Sequence, residues 1–367
     1  MSEQPVENLQ VTPLNTQHRA LGALMAPFGG WDMPIQYEGI IAEHRWCREE
    51  AALFDICHMG EFLFKGDLVT SGLEDMFTFS LTAIPVGRSK YGFLLNQQGG
   101  IIDDLIVFRM ADDQVMIVVN AATAPNDFKV IQSRLSGGEF TDVTAQTAKL
   151  DLQGPKSREV LVDLLGSWVA DIPYFKFVQQ TVLGVPAIVS RTGYTGELGY
   201  EIFLSAEKVA ELWDKLLADP RVKPAGLGAR DVLRLEVGYS LYGSDIDEAT
   251  TPLEADLGMF VKMDKQFVGK DALIQQQGQT LRKVKVAFKV NSRRTPRHGF
   301  GIFDGEQQIG EVTSGVFSPM LGCGIGLGYV DVAYSAIGTP LTIKQDRTVM
   351  EAVVCTAPFY TEGSVRS

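Results

Sequence analysis

Two hydrophobic periods alternate along this chain. Between residues 39 and 54, Ile40, Ile41, His44, Cys47 and Ala51 fall on one side at helical spacing, which predicts a single helix over 39–54. Residues 61–65 and 114–120 are short runs rich in Val, Ile and Phe, and they read as strands. Residues 155–165 start with a proline near the first turn, where its missing N–H costs little, and predict a helix. A strand follows at 187–191. Residues 206–217 form an amphipathic helix with Val209, Leu212, Trp213, Leu216 and Leu217 on one face. Short strands separated by turn signals favour antiparallel pairing in an α+β arrangement over a long doubly wound sheet.

From about residue 281 the texture changes. Residues 284–290 alternate cleanly between polar and apolar, and 307–312, 326–332, 341–344 and 349–355 follow as further strands. Helical periodicity nearly vanishes there, which predicts a small all-β C-terminal unit, a sandwich or a barrel. The boundary is expected between 269 and 281, where Gln275, Gln276, Gln277, Gly278 and Gln279 read as an exposed connector.

Composition narrows the function classes. The 367 residues carry 33 basic against 45 acidic side chains, a net charge of −12. That balance repels nucleic acid on average. The one dense basic trio, Arg293, Arg294 and Arg297, reads as a solvated loop that could meet an acidic carrier protein. The cysteines Cys47, Cys57, Cys323 and Cys355 have no zinc spacing and read as reduced, cytoplasmic thiols. The histidines His18, His44, His58 and His298 show no metal-ligand pairing, so no metal site is expected. No apolar run approaches the ~20 residues of a membrane span, and the polar start lacks a secretory signal.

The motifs for phosphate and nucleophile chemistry are missing. Residues 226–231 contain GxG without the third glycine of a dinucleotide fingerprint, and the glycines of 322–328 sit in the all-β tail with no helix to follow. There is no P-loop and no GxSxG elbow. What remains is polar and aromatic. In Gly99-Gly100-Ile101-Ile102-Asp103-Asp104, two adjacent carboxylates enter a strand-like run on opposite faces. One is read as structural, Asp103, and one as a candidate proton acceptor, Asp104. Tyr91, Asn120, Tyr194, Glu201 and Arg230 also lie beside glycines or short strands. Residues 191–201 carry two tyrosines and two glutamates. Such a run suits a flat, amide-like heterocycle, and equally a hairpin with surface tyrosines.

Taken together, the residues resemble the T-protein family of the glycine cleavage system, the tetrahydrofolate-dependent aminomethyltransferases. The resemblance runs through Phe28-Gly29-Gly30-Trp31-Asp32-Met33-Pro34, Phe54-Asp55-Ile56-Cys57-His58-Met59-Gly60, the 96–107 and 118–122 segments, Leu152-Gln153-Gly154-Pro155, 190–201, 225–236, 242–248 and Val312-Thr313-Ser314-Gly315. It implies a three-domain cloverleaf around a central folate channel. Two α+β domains with antiparallel sheets, 1–55 with 146–275 and 56–145, would accompany a C-terminal β-barrel or jelly-roll-like domain at 281–367. It implies transfer of the aminomethyl carbon from lipoyl H-protein to tetrahydrofolate, giving ammonia and methylenetetrahydrofolate. By motif, Asp104 is the implied key carboxylate, Tyr91 and Asn120 line the folate, Tyr194 and Glu201 meet the pterin, Arg230 contacts folate, and Tyr360 is a further candidate.

Phe175 stands where some relatives carry a tyrosine, and Cys323 where a polar or basic residue is common. The alternatives are a folate-dependent demethylase of the same fold and a non-catalytic folate-binding module. The second is disfavoured by 238–248, which lacks the reactive cysteine of those modules.

Overall fold

The computed structural model describes residues 9–366. Residues 1–8, where a secretory signal would begin, and residue 367 lie outside the described residues.

Three larger β systems and one small sheet make up the structure. A six-stranded sheet runs in the order Phe177–Val182, Val185–Ser190, Gly199–Ser205, Thr147–Gln153, Ala51–Asp55, Val222–Pro224. All its pairs are antiparallel except the last, which is parallel. A five-stranded antiparallel sheet follows the order Ser89–Leu95, Ile101–Ala111, Gln114–Val119, Gly60–Lys65, Glu139–Asp142. Six strands from Lys283–Val290 to Thr348–Cys355 close into an antiparallel barrel. The barrel alternative of the sequence reading is therefore the correct one, and the α+β class with antiparallel sheets holds. A small three-stranded sheet of Gln10–Val11, Trp31–Gln36 and Leu24–Phe28 completes the structure.

Each unit has its own apolar core. In the first sheet, Leu150, Leu152, Tyr200 and Ile202 pack on Leu212, Trp213 and Leu216 of the predicted amphipathic helix, observed as Val209–Leu217. In the second sheet, Phe62, Phe64, Leu105 and Ile117 face Phe77 and Ile131. The two sheets meet where Phe108, Met116 and Val118 abut Phe177 and Phe203.

Two local expectations are corrected. The helix expected over 39–54 spans Ile40–Glu49 only; Ala51–Asp55 is a strand, buried along its whole length. Helical spacing continues into the Ala-Ala-Leu-Phe run. That run nevertheless lies between Thr147–Gln153 and Val222–Pro224, and two partner strands outweigh local propensity. The supposed exposed connector is also partly helical, because Gln275, Gln276 and Gln277 end the Lys270–Gln277 helix, anchored through buried Leu273.

The Leu227–Glu236 helix joins the units. Its Val232 and Leu235 pack on Val316, Ile325 and Leu327 of the barrel. Arg234 is buried and donates to Asp245 at 2.7 Å, to the Tyr239 carbonyl at 2.8 Å and to Ser314 at 2.7 Å. Glu236 accepts from Arg48 at 2.7 Å, from Ser318 at 2.5 Å and bonds His44 at 2.8 Å. His18 is similarly structural, bonded to Asp55 at 2.8 Å.

Two stability predictions follow from these buried charges. Arg234→Met leaves Asp245 desolvated and uncompensated and should cost about 3–5 kcal/mol in denaturant unfolding; adding Asp245→Asn should restore part of that loss. Between the sheets, both carboxylate oxygens of Glu61 are buried without a hydrogen bond, and Lys149 stands 3.9 Å away. Burial pushes Glu61 up to about 8 from 4.5. Across that window the folded chain holds a proton the unfolded chain lacks, so this group's stabilisation is complete below 4.5 and fades as pH rises through 8. Urea midpoints at pH 5 and 8.5 should therefore diverge less in Glu61→Gln than in the wild type, and equal divergence would refute this.

Candidate active site

The double-aspartate strand begins at a tightly held turn. The Asn96 side chain accepts from the Gln98 and Gly100 amides at 3.0 and 2.9 Å and donates to the Glu248 carbonyl at 3.0 Å. A Cβ at residue 100 would collide with that carbonyl, so only glycine lets the 247–250 loop close onto the strand. Ile101 N–H then bonds to the Asp247 and Thr250 carbonyls.

Strand alternation separates the two carboxylates. Asp103 is fully buried and accepts from the Asn120 backbone at 2.9 Å and its amide at 2.8 Å. Asp104 is half-buried, with one oxygen accepting from Tyr91 Oη at 2.9 Å and the other from Asn120 Nδ2 at 2.8 Å. Tyr91, Asp104 and Asn120, far apart in sequence, thus form one hydrogen-bonded group. Burial raises the Asp104 carboxyl above its ordinary value, while bonds from Tyr91 and Asn120 and the Lys285 ammonium pull it back. Burial, then Asp127 and Asp104, raise Asp103 further. Asp127 is itself pushed up to about 7 by burial. Asp103 and Asp127 are fully buried, so Asp104 is the one of the three acids that reaches solvent.

A second group sits on the six-stranded sheet. Glu201 pairs in register with Asp151, and one Glu201 oxygen accepts from Thr192 Oγ1. Arg230, on the Leu227–Glu236 helix, donates to Asp151 and lies 5.3 Å from the centre of the Tyr194 ring and 5.6 Å from that of Phe54. The GxG run lies on a strand–turn–helix, Val222–Pro224 leading through Gly226 to this helix. Residues 191–201 are not a surface hairpin: Tyr194 is half-buried and Tyr200 fully buried.

Tyr194 reaches toward the barrel. Its hydroxyl donates to the Ser240 carbonyl, and Ser240 Oγ accepts from Lys285 Nζ at 2.6 Å. Burial lowers the Lys285 ammonium to about 8. Asp151, Ser240 and Lys285 escaped the sequence reading. Lys285 is one residue of an alternating strand, and nothing local distinguishes it from Lys283 or Lys289.

Tyr360 belongs to a different set of contacts. Its ring covers the Arg48 guanidinium at 4.4 Å and its N–H bonds to the Glu236 carbonyl; among the described residues it makes no hydrogen bond to the Asp104 or Glu201 groups. Phe175 sits where the two sheets meet, with φ of 59° and its carbonyl accepting from Ser89 N–H at 3.0 Å. Cys323 opposes Ser318 at a barrel turn. Arg293 lies over Phe317, and Arg294 donates to the Val349 carbonyl at 3.4 Å, both on the loop after the Lys283–Val290 strand.

Chemically, the arrangement offers a partly buried carboxylate with both oxygens oriented, aromatic faces from Tyr91 and Tyr194, and a further, buried acid at Glu201 with one oxygen free of hydrogen bonds among the described residues. Those are fitting features for a flat ring bearing N–H donors and an amine. Among the described residues, no His, Cys, Asp and Glu group could hold a metal ion, and no helix is long and apolar enough to cross a membrane.

Comparison with known proteins agrees along the whole chain. The GCVT N-terminal domain model matches residues 14–265, and the glycine cleavage T-protein C-terminal barrel domain matches 283–361. An aminomethyltransferase of Thermotoga petrophila is 42% identical over 361 residues, covering 97% of this chain and 98% of that protein. One from Caldanaerobacter subterraneus subsp. tengcongensis is 41% identical over 362 residues, covering 97% of each. The crystal structure of glycine cleavage system aminomethyltransferase T from Bartonella henselae superposes with a TM-score of 0.92 at 34% identity, over 97% of this chain and 99% of that one. With its three β systems, its closed terminal barrel and these relatives, the chain belongs to the aminomethyltransferase, or T-protein, family of the glycine cleavage system.

Proposed function

We propose that this aminomethyltransferase takes the aminomethyl group of lipoyl H-protein and passes its carbon to tetrahydrofolate. The products are ammonia, 5,10-methylenetetrahydrofolate and the reduced lipoyl arm. The observation that carries this reading is Asp104, a partly buried carboxylate whose two oxygens are each aimed by a neighbour, Tyr91 and Asn120.

The chemistry asks for such a group. In the transfer, two weakly nucleophilic folate nitrogens, N5 and N10, bond in turn to the aminomethyl carbon as its C–S and C–N bonds break, and their two protons leave on the lipoyl thiol and on ammonia. The attacking nitrogen becomes positive and must lose a proton. Asp104 accepts a hydrogen bond from that nitrogen and stabilises its developing charge at short range. At the other end, the unpaired oxygen of Glu201 accepts from the donor edge of the pterin, beside the Tyr194 ring and the Arg230 guanidinium. Tyr91 and Asn120 orient Asp104, and Tyr360 stands apart from that group, over Arg48.

The division into 1–55 with 146–275, 56–145 and 281–367 goes with this reading. It is supported by sheet membership, since the Ala51–Asp55 strand pairs with Thr147–Gln153 across the intervening segment. A cytoplasmic location is supported by four cysteines that are all free thiols.

The decisive assay is tetrahydrofolate-dependent ammonia release from aminomethylated H-protein. Asp104→Asn should bind tetrahydrofolate about as well as the wild type yet lose ~10²–10⁴ in turnover; unchanged turnover would remove Asp104 from the chemistry. Folate bound by a wild type that releases no ammonia would point to another one-carbon donor. Calorimetric titration of Glu201→Ala should reveal tetrahydrofolate binding weakened by roughly 1–3 kcal/mol, with a thermal midpoint close to the wild type, and unaltered affinity would refute its role.

A further inference from the structure

The Thr147–Gln153 strand has an unusual polar face. Its apolar residues Ala148, Leu150 and Leu152 point into the core of the first unit. Its other face carries Lys149, Asp151 and Gln153, which are 1%, 0% and 0% exposed. Three polar side chains in a row on an interior strand are costly unless each is bonded.

The bonding around Asp151 is complete. One carboxylate oxygen accepts from Arg230 Nη1, and the other from Gln153 Nε2 at 2.5 Å. Gln153 Nε2 also donates to the Thr192 carbonyl at 3.1 Å, and its oxygen accepts from Thr195 Oγ1 at 2.7 Å. A Cβ on Gly193 or Gly199 would overlap this amide, so the glutamine is pinned. Thr192 Oγ1 then donates to Glu201. A single ladder therefore runs Arg230, Asp151, Gln153, Thr192, Glu201.

The electrostatics of that ladder are specific. Asp151 and Glu201 are directly opposite in the antiparallel pair, so two like charges face each other at a buried site. Arg230 is the cation bonded there, and its bond goes to Asp151 and not to Glu201. Phe54 is the cross-strand neighbour on Asp151's other side and contributes no charge. The Cys47 thiol is held neutral by burial. Near Arg230, His58 is kept uncharged, its pKa lowered to about 3 by burial.

We infer that Asp151 is a positioning residue of the folate pocket, which neutralises Arg230, holds its guanidinium at the Tyr194 ring, and leaves Glu201 without a bonded cation. This rests on the folate reading given above. The consequence is selectivity. A guanidinium whose charge is already matched by a buried carboxylate acts as a flat hydrogen-bond donor more than as a clamp for an anion. The pocket end thus suits an uncharged heterocycle that donates to Glu201 from one edge.

The test compares wild type with Asp151→Asn, which keeps the shape but removes the charge and sets an amide N–H against Gln153 Nε2. Asp151→Asn combined with Gln153→Glu returns a carboxylate to the ladder. Tetrahydrofolate affinity is measured by anaerobic calorimetry, and steady-state constants with aminomethylated H-protein. Asp151→Asn should raise both Kd and KM for tetrahydrofolate roughly tenfold to hundredfold. Its kcat at saturation should stay within about threefold of wild type, the inverse of Asp104→Asn. The double variant should recover at least half of the loss on a logarithmic scale. A lowered thermal midpoint with unaltered Kd would make Asp151 merely structural and overturn the inference. So would a fall in kcat with Kd unchanged. Wild type that binds no tetrahydrofolate at all would instead overturn the folate reading, and this inference with it.

Discussion

Charge compensation along the Leu227–Glu236 helix is the constraint on which the rest of the architecture depends. Three of its side chains carry charge into three different neighbours. Arg230 meets Asp151 on the six-stranded sheet, Arg234 meets Asp245 on the loop under the barrel, and Glu236 meets Arg48 and His44 on the first long helix and Ser318 on the barrel. Each partner is at most 8% exposed. A buried charge without its counter-charge is strongly destabilising, so these pairs can form only when the sheet, the helix and the barrel are docked together. Apolar contacts through Val232 and Leu235 supply much of the attraction, and the ionic pairs restrict it to one orientation.

The candidate site inherits its geometry from that docking. Arg230 and Arg234 are one helical turn apart, so the helix that sets the barrel against the sheet also sets a guanidinium beside Tyr194. Arg234 holds the Tyr239 carbonyl and Asp245, which fixes the loop carrying Ser240. Ser240 in turn receives Tyr194 from one side and Lys285 from the barrel. The acid group of the five-stranded sheet is stiffened independently, by Asn120, which spans both aspartates. Rigid first contacts of this kind lower the reorganisation required when charge develops on a bound nitrogen.

The carboxylates illustrate how one residue type takes different parts. Asp103 and Asp104 are adjacent, yet strand alternation buries one fully and the other only partly. Asp151 and Glu201 are opposite each other, yet Arg230 bonds one and leaves the other with a free oxygen. In both pairs the surroundings, and not the side-chain chemistry, decide which acid is fully paired and which keeps an oxygen or an edge open.

Much of this was legible along the chain. Alternation after residue 281 announced strands, helical spacing over 206–217 announced a helix, and the Gly-Gly-x-x-Asp-Asp run marked the acid pair, because these are local consequences of period two, period 3.6 and turn chemistry. The motif set named Tyr91, Asn120, Tyr194, Glu201 and Arg230 beside Asp104. Other features depended on partners remote in sequence. Ala51–Asp55 carries helical spacing but became a central strand because two neighbours flank it. The closing of the terminal strands into a barrel and not a sandwich depended on the Lys283–Val290 strand pairing on both edges. Asp151, Ser240 and Lys285 look ordinary in their own segments, and they gained meaning only when sheet, loop and barrel met. Local periodicity and turn chemistry were thus determined by the sequence itself, whereas the pairing of buried charges was decided by tertiary structure, since a counter-ion is defined by distance in space and not by position along the chain.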